Sequence, residues 1–495
     1  MTRVAVVGAG VGGLACGARL AAQGYDVEVF EQAAVVGGKL GIHEQEGFRF
    51  DTGPSLLTWP QLVHDLLDVT ATDRDGTTDD AELDLHQIDP IARYRYPDGI
   101  TLHAHANRDR MRHAFDTSLG LGTGAAWARL MQRAEGMWNA IEQPILSQPQ
   151  PSVKGLANQA RRLTDLGKIA PHRTLRSIGQ QYLHHPHQRQ FLERYATYTG
   201  SDPRRAPAVL ATIPWLEQTT GAWYVAGGLH RIAEVLADRI AAHGGQVHTS
   251  AQVDTIATTG DAVAGVTLAD GTRVDADIVV ANTEARTLYG RLLEHPGVSK
   301  WRREVERAEP SLSGFVVLLG LDGRTPDLSH HTVLFNADYD AEFDAIFGAD
   351  PQPVADPTIY VSVPDDPTAA PDGSEAWFVL VNAARQGPVD WDAGDTSARY
   401  AEHIVDLMAK RGLDIRHRIR TSAHISPADL ARRTGALGGA IYGTSSNGWR
   451  AAAMRPANRG PVAGLYLVGG SAHPGGGLPL VLKSAEITAG LITGA

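Results

Sequence analysis

Residues 3–32 read RVAVVGAGVGGLACGARLAAQGYDVEVFEQ, and this stretch decides the fold. Val4–Val7 is a short β-branched run without alternation, the pattern of a strand buried on both faces. Gly13–Gln23 has helical spacing, with Leu14, Ala18 and Ala21 or Ala22 on one face and Gly24 as the stop. A second strand follows from Asp26 and ends at Glu31. The glycines Gly8, Gly10, Gly12 and Gly13 therefore fall between a strand and a helix. Gly8 makes the tight turn, Gly10 lets a pyrophosphate approach the backbone, and Gly13 lets helix and strand pack closely. Free N–H groups at the helix start attract the anion. Glu31 is placed to accept from a ribose diol, so the unit predicts a dinucleotide site.

The next residues distinguish between dinucleotides. Gly37 and Gly38 bring the chain close to the same ligand again, and Lys39 is placed to meet pyrophosphate charge. A further turn at Gly53, Pro54 and Ser55 continues along a long cofactor, which favours FAD over NAD. Near the other end, GLYLVGG (464–470) reads as another buried strand ending in glycines. The helix after it opens at Leu478, and Pro479 suits a first turn because its missing N–H had no partner there. The free N–H groups of Leu478 to Val481 would face the flavin N1–C2=O edge, where charge develops on reduction. The two glycine-rich runs are expected to hold opposite ends of one cofactor.

Composition bounds the rest. The chain has 495 residues, 43% of them hydrophobic and 20% charged, more than one ordinary core holds. A net charge of -11 argues against a nucleic-acid partner. The single cysteine, Cys16, excludes an internal disulfide and fits a reducing compartment. No run is long and apolar enough to span a bilayer.

At this point the sequence resembles the FAD-dependent carotenoid desaturases of the bacterial phytoene desaturase type, within the amine-oxidase-like flavoproteins. The resemblance is carried by VAVVGAGVGGLA (4–15), EQAAVVGGKL (31–40), GFRFDTGPSLLT (47–58), RYATYTGSDPRRAPAV (194–209), GAWYVAGGLHRI (221–232), HHTVLF (330–335), GGAIYGTSSN (438–447) and the run from Arg455 to Ile487 containing HPGGGLP. It is weakest at about 70–175, where TATDRDGTTDDAELDL (70–85) is a polar, acidic surface excursion. The resemblance implies that Gly469, Gly470 and Ser471 pass the FAD ribityl-phosphate and that the Val253 backbone contacts the adenine. It also implies hydride transfer to flavin from a long lipophilic polyene such as phytoene or a later carotene. Oxygenation, isomerisation or saturation of such a chain are the alternatives, with a non-catalytic prenyl-lipid escort module further off. An amine oxidase would usually carry an acid at the position of Ser471.

The expected architecture is α/β. A Rossmann-like FAD domain is assembled from residues 1–70, 221–300 and 426–495. A helical insertion occupies 71–220 and a mixed-sheet substrate domain 301–425. QVHTSAQVDTIATT (246–259) reads as one strand, Gly227–Gly228 open a helix through Ile240, and Asp270-Gly271 is a hairpin turn. Trp127, Leu130, Met131 and Met137 share a helix face that reads as core.

An allylic cation formed in a polyene is delocalised, so strong base catalysis is not required. His473 is the one candidate proton acceptor, against a plainer reading as a loop histidine bonded to backbone. Trp59, Trp223 and Tyr224 could line an apolar passage. No metal-ligand pattern appears; His184, His185 and His187 are spaced as loose surface residues. Between Lys154 and Arg189 stand Lys154, Arg161, Arg162, Lys168, Arg173, Arg176 and Arg189, with Asp165 the only acid. That excess suggests peripheral attachment to anionic lipid on the inner face of a membrane, from a cytoplasmic location. No second nucleotide fingerprint for NAD is present, so a quinone or oxygen is the expected electron acceptor.

Overall fold

The structure is a computed structural model, and it describes residues 1–72, 83–149, 167–326, 328–453 and 455–494. A five-stranded parallel sheet runs Leu465–Leu467, Ile278–Ala281, Arg3–Val7, Asp26–Phe30, Gln246–His248. Val4 lies in register with both Ile278 and Val27, so the opening strand is central. Val4, Val6, Val27 and Val29 are buried, which explains the unbroken apolar runs in these strands. Helix Val11–Ala22 packs between helix Arg231–Ala242 and the C-terminal helix Leu478–Thr493, covering one face.

The remainder is built on a seven-stranded mixed sheet. Its order is Ile419–Ile425, Ser313–Asp322, Ser374–Ala383, Ile359–Ser362, His331–Leu334, Ala92–Arg95, Thr101–Ala104. The pairing of His331–Leu334 with Ala92–Arg95 is parallel and the others are antiparallel. The last two strands lie inside the segment expected to be helical. Tyr94 of that segment is buried against Phe191, so the apolar side chains of the insertion complete one core with the sheet edge. Trp127, Leu130, Met131 and Met137 are buried there, on helix Thr123–Ile141.

Two local expectations are corrected. Residues 246–259 are not one strand. Ser250 has φ 55°, and the chain leaves the parallel sheet at His248 to enter a three-stranded antiparallel sheet at Val253–Thr259. The helix after Gly227–Gly228 begins at Arg231, because both glycines sit at positive φ in a preceding turn. The hairpin at Asp270-Gly271 is present, with Gly271 at φ 88°.

Of the basic stretch, Lys154, Arg161, Arg162 and the acid Asp165 lie outside the described residues, as does most of 70–85. Arg176 is not a free headgroup ligand. It donates to Glu193 at 2.7 Å and to Asp340 at 2.8 Å, pinning three helices together. No described helix is long and apolar enough to cross a membrane.

Candidate active site

The glycine turn is built from backbone. Gly8 adopts φ 98°, and its N–H donates to the Phe30 carbonyl at 2.8 Å. A Cβ on Gly13 would stand 2.3 Å from the Gly8 carbonyl oxygen, so close packing admits no side chain there. Gly10 is the N-cap of helix Val11–Ala22 and brings no side-chain cap, leaving first-turn N–H groups for a ligand. Glu31 is buried. One carboxylate oxygen accepts the Ala9 N–H at 2.7 Å and the other the Ala33 N–H at 2.9 Å. Gly37 donates to the Ala9 carbonyl at 2.8 Å, which draws the second glycine pair against the first turn.

Asn282, directly after strand Ile278–Ala281, is the residue that sequence reasoning missed. Its amide donates to the Gly8 carbonyl at 3.3 Å. A Cβ would approach the Asn282 side chain to 2.7 Å from Gly10, 2.9 Å from Gly12, 2.9 Å from Gly13 and 2.4 Å from Gly469. Glycines from both ends of the chain thus close around one side chain. The only sequence signal was a polar residue at a strand's C-terminal end, where ligands of parallel sheets bind.

A cavity of about 360 Å³ opens beside this cluster. It is lined by Gly8, Gly10, Gly12, Glu31, Gly37, Gly38, Lys39, Gly53, Pro54 and Val253 from the first parts of the chain. Gly470, Ser471, Leu478 and Val481 line it from the last part. It then runs to the mixed sheet, past Gly314, Val316, Phe378, Leu380 and Tyr442. Gly477 caps helix Leu478–Thr493 without a side chain, so that first turn also offers free N–H groups.

Five expected residues are placed differently. Gly13 and Gly469 sit behind the lining, packed on Asn282. Pro479 is half-buried on the helix and contributes no N–H. The Ser55 hydroxyl lies 2.5 Å from the Tyr360 hydroxyl and faces a separate recess with Asp51 and Tyr224. His473 does not line the cavity. Its Nε2 lies 3.0 Å from the Ile145 carbonyl and 3.1 Å from that of Gln148, a donor shared between two acceptors. Burial lowers its pKa, consistent with a neutral ring that holds backbone.

Lys39 lines the cavity, and Arg455 lies behind its Tyr442–Gly470 wall. Lys39 is half-buried, and its ammonium donates to the carbonyls of Ala440 at 2.9 Å and Ile441 at 2.7 Å. Burial lowers its pKa. Arg455 donates to Tyr442 and Gly470 carbonyls at 3.0 and 2.9 Å, and burial lowers it to about 10. The Glu284 carboxylate is the acid acting on both. Two glycine-opened helix starts, one buried acid and the lining cations Lys39, Arg291 and Arg433 fit a long anionic cofactor with a diol near one end.

The comparisons with known proteins meet this geometry. The family of flavin containing amine oxidoreductases matches residues 11–493. Over 99% of both chains the sequence is 31% identical to 1-hydroxycarotenoid 3,4-desaturase of Flavobacterium sp. (strain P99-3). It is 32% identical to hydroxyneurosporene desaturase of Rhodobacter capsulatus, over 98% of this chain and 96% of that one. The chain belongs to the flavin containing amine oxidoreductases, in their carotenoid desaturase branch. This flavoprotein is an FAD-dependent oxidoreductase. Among solved structures, an oxidoreductase from Methanosarcina mazei superposes over 100% of both chains with a TM-score of 0.62 at 18% identity, which shows the shared fold. The flavoprotein's residues Gly8, Gly10, Gly12, Glu31 and Gly37–Gly38 would hold the ADP half of FAD. Gly470, Ser471, Leu478 and Val481 would hold the flavin half.

Proposed function

We propose that this flavoenzyme desaturates a carotenoid. One observation carries the reading: the cavity that joins both glycine-rich ends continues onto an apolar sheet face. Val316, Phe378 and Leu380 line that face, and Gly314 leaves it flat because a Cβ there would lie 2.9 Å from both Ile441 and Leu380. Bound FAD supplies the hydride acceptor. The apolar face excludes water and aligns an extended chain against the ring. No strong base is needed for the proton of a delocalised allylic cation.

The relatives' names point to a carotenoid, and both refer to hydroxylated ones. A quinone or oxygen would reoxidise the flavin. Attachment to the cytoplasmic face of a membrane would bring the substrate within reach. Lys168, Arg173 and Arg189 are the described members of the basic stretch for that contact, and co-sedimentation with anionic liposomes tests it. Binding unchanged in their glutamine variants removes the membrane reading.

The function is tested by expression in cells that accumulate defined hydrocarbon and hydroxylated carotenes. Products lacking two hydrogens, with red-shifted absorption, are expected. Products that gain oxygen, or no new pigment, overturn the reading.

A further inference from the structure

Arg194, at the start of the short helix Arg194–Thr199, is 9% exposed and its guanidinium sits inside a cage of tyrosines. Its central carbon lies 5.8 Å from the Tyr94 ring centroid, 5.4 Å from Tyr198 and 5.5 Å from Tyr360. Tyr94 and Tyr360 are both in register with Val333, one strand away on either side. They therefore present one face of the sheet to the arginine.

The cage is electrostatically incomplete. Nη1 donates to the Tyr198 hydroxyl at 3.3 Å, and this is the guanidinium's one hydrogen bond among the described residues. Among the described residues, no carboxylate reaches it as an ion pair. The nearest compensation is indirect: Glu217 is buried, and accepts from Tyr195 at 2.6 Å and from Tyr198 at 3.3 Å. Cation–π contacts stabilise a buried guanidinium by about 0.5–2 kcal/mol each, but they leave its in-plane N–H donors unused. Unused donors of a buried charge are costly, so they call for an acceptor from elsewhere.

The cage adjoins the cofactor cavity. Tyr442 lines that cavity and packs on Gly200, the residue that closes the helix Arg194–Thr199, where a Cβ would stand 2.9 Å from the Tyr442 ring. The Tyr360 hydroxyl meets Ser55, next to the cavity residue Pro54. A fixed cation beside carbon that is losing hydride would oppose the positive charge developing there. Arg194 is therefore suited to a substrate's end group and not to its reacting bond.

The geometry points to Arg194 as the specificity residue that donates to an oxygen function, hydroxyl or carbonyl, at the end of the polyene chain. This rests on the carotenoid reading above and adds the substrate class. Tyr198 is the positioning residue that links the guanidinium to Glu217.

The test is steady-state kinetics on liposome-embedded acyclic carotenes, one hydroxylated at its end and one its hydrocarbon counterpart. Wild type should favour the hydroxylated substrate by about tenfold or more in kcat/KM. Arg194→Met should abolish that preference while hydrocarbon turnover stays within about threefold, and Arg194→Lys should restore part of it. Tyr198→Phe should narrow the preference without removing it. FAD occupancy and Tm report folding. Equal wild-type rates on the two substrates overturn the assignment. So does an Arg194→Met protein that loses both activities equally with FAD and Tm retained. If Arg194→Met does not fold, the wild-type ratio and the Tyr198→Phe ratio decide it. Turnover of neither carotene by wild type would instead sink the carotenoid reading itself.

Discussion

The Asn282 side chain donates to the carbonyl of Gly8, 274 positions earlier in the chain, and bears on Gly469 as well. This one amide ties together the strands that carry the first glycine turn, the middle segment and the C-terminal run. Asn282→Leu keeps much of the volume but removes the donor and the polar contact. Loss of such a half-buried hydrogen bond costs about 1 kcal/mol. Purified Asn282→Leu protein is expected to carry substantially less FAD than wild type, with unchanged far-UV circular dichroism. Full flavin occupancy would show that the amide only fills space.

Gly12 tests the same junction by steric means. In an ordinary helix, Gly→Ala gains up to about 1 kcal/mol. Here the new Cβ would lie 2.9 Å from the Gly469 Cα and 2.9 Å from the Asn282 Oδ1. Backbone cannot yield as a side-chain tip can, so overpacking of about 1–3 kcal/mol wins. Gly12→Ala should lower Tm by a few degrees and weaken FAD retention together. A rise in Tm would mean that the C-terminal run does not press on this helix.

Glu31 presents two oxygens to two backbone N–H groups. Glu31→Gln preserves shape but sets an amide NH₂ against either the Ala9 or the Ala33 N–H. A donor-to-donor clash of about 1–3 kcal/mol should follow, with the dissociation constant for FAD rising about tenfold or more. Recovery of flavin fluorescence on dilution measures the release.

The glycine turns and the parallel strands were legible because their signals are local: a β-branched run, three glycines, a helix and an acid within 31 residues. Asn282 was not, because its partners come from opposite ends of the chain and a lone asparagine after a strand looks ordinary. Lys39 was read as meeting pyrophosphate charge, and its bonds to backbone were not legible. Its acceptors, the carbonyls of Ala440 and Ile441, are fixed by a distant loop that no local pattern predicts. The strand break at Ser250 was hidden for a related reason. The apolar alternation of 246–259 continues through it, and only the competing three-stranded sheet pulls the second half away. Arg194 and Tyr198 lay within a motif quoted for resemblance, and only the sheet register gathers Tyr94 and Tyr360 around them.

His331 gives the protein a defined acid weakness. Its Nδ1 is 2.9 Å from the Ile91 carbonyl and its Nε2 is 3.3 Å from that of Ser55. The protonated ring would serve both acceptors, yet burial dominates and pushes the pKa down to about 4, with the Arg194 charge adding to the effect. The unfolded chain, with a histidine near 6.5, therefore binds the proton first as pH falls. The stability contribution is complete above about pH 6.5 and declines toward pH 4, by about 1.4 kcal/mol per pH unit. Wild-type Tm should fall over that window more steeply than that of His331→Gln. Parallel Tm curves would exclude His331 as the source.

His473 decides whether the apolar cavity carries its own base. Its ring nitrogen is committed to the carbonyls of Ile145 and Gln148, where it fastens the end of helix Thr123–Ile141 and the residues after it to the glycine-rich run. A proton acceptor in the reaction would need its Nδ1 lone pair directed at substrate, and His473 is not among the residues that line the cavity. His473→Gln, whose amide can still donate, should keep kcat within about threefold of wild type, while His473→Ala lowers Tm by the value of about one or two buried hydrogen bonds. The pH dependence of kcat/KM should show no limb that disappears in His473→Gln. A fall of a hundredfold or more in kcat for His473→Gln, with FAD and Tm retained, would instead return this histidine to the chemistry.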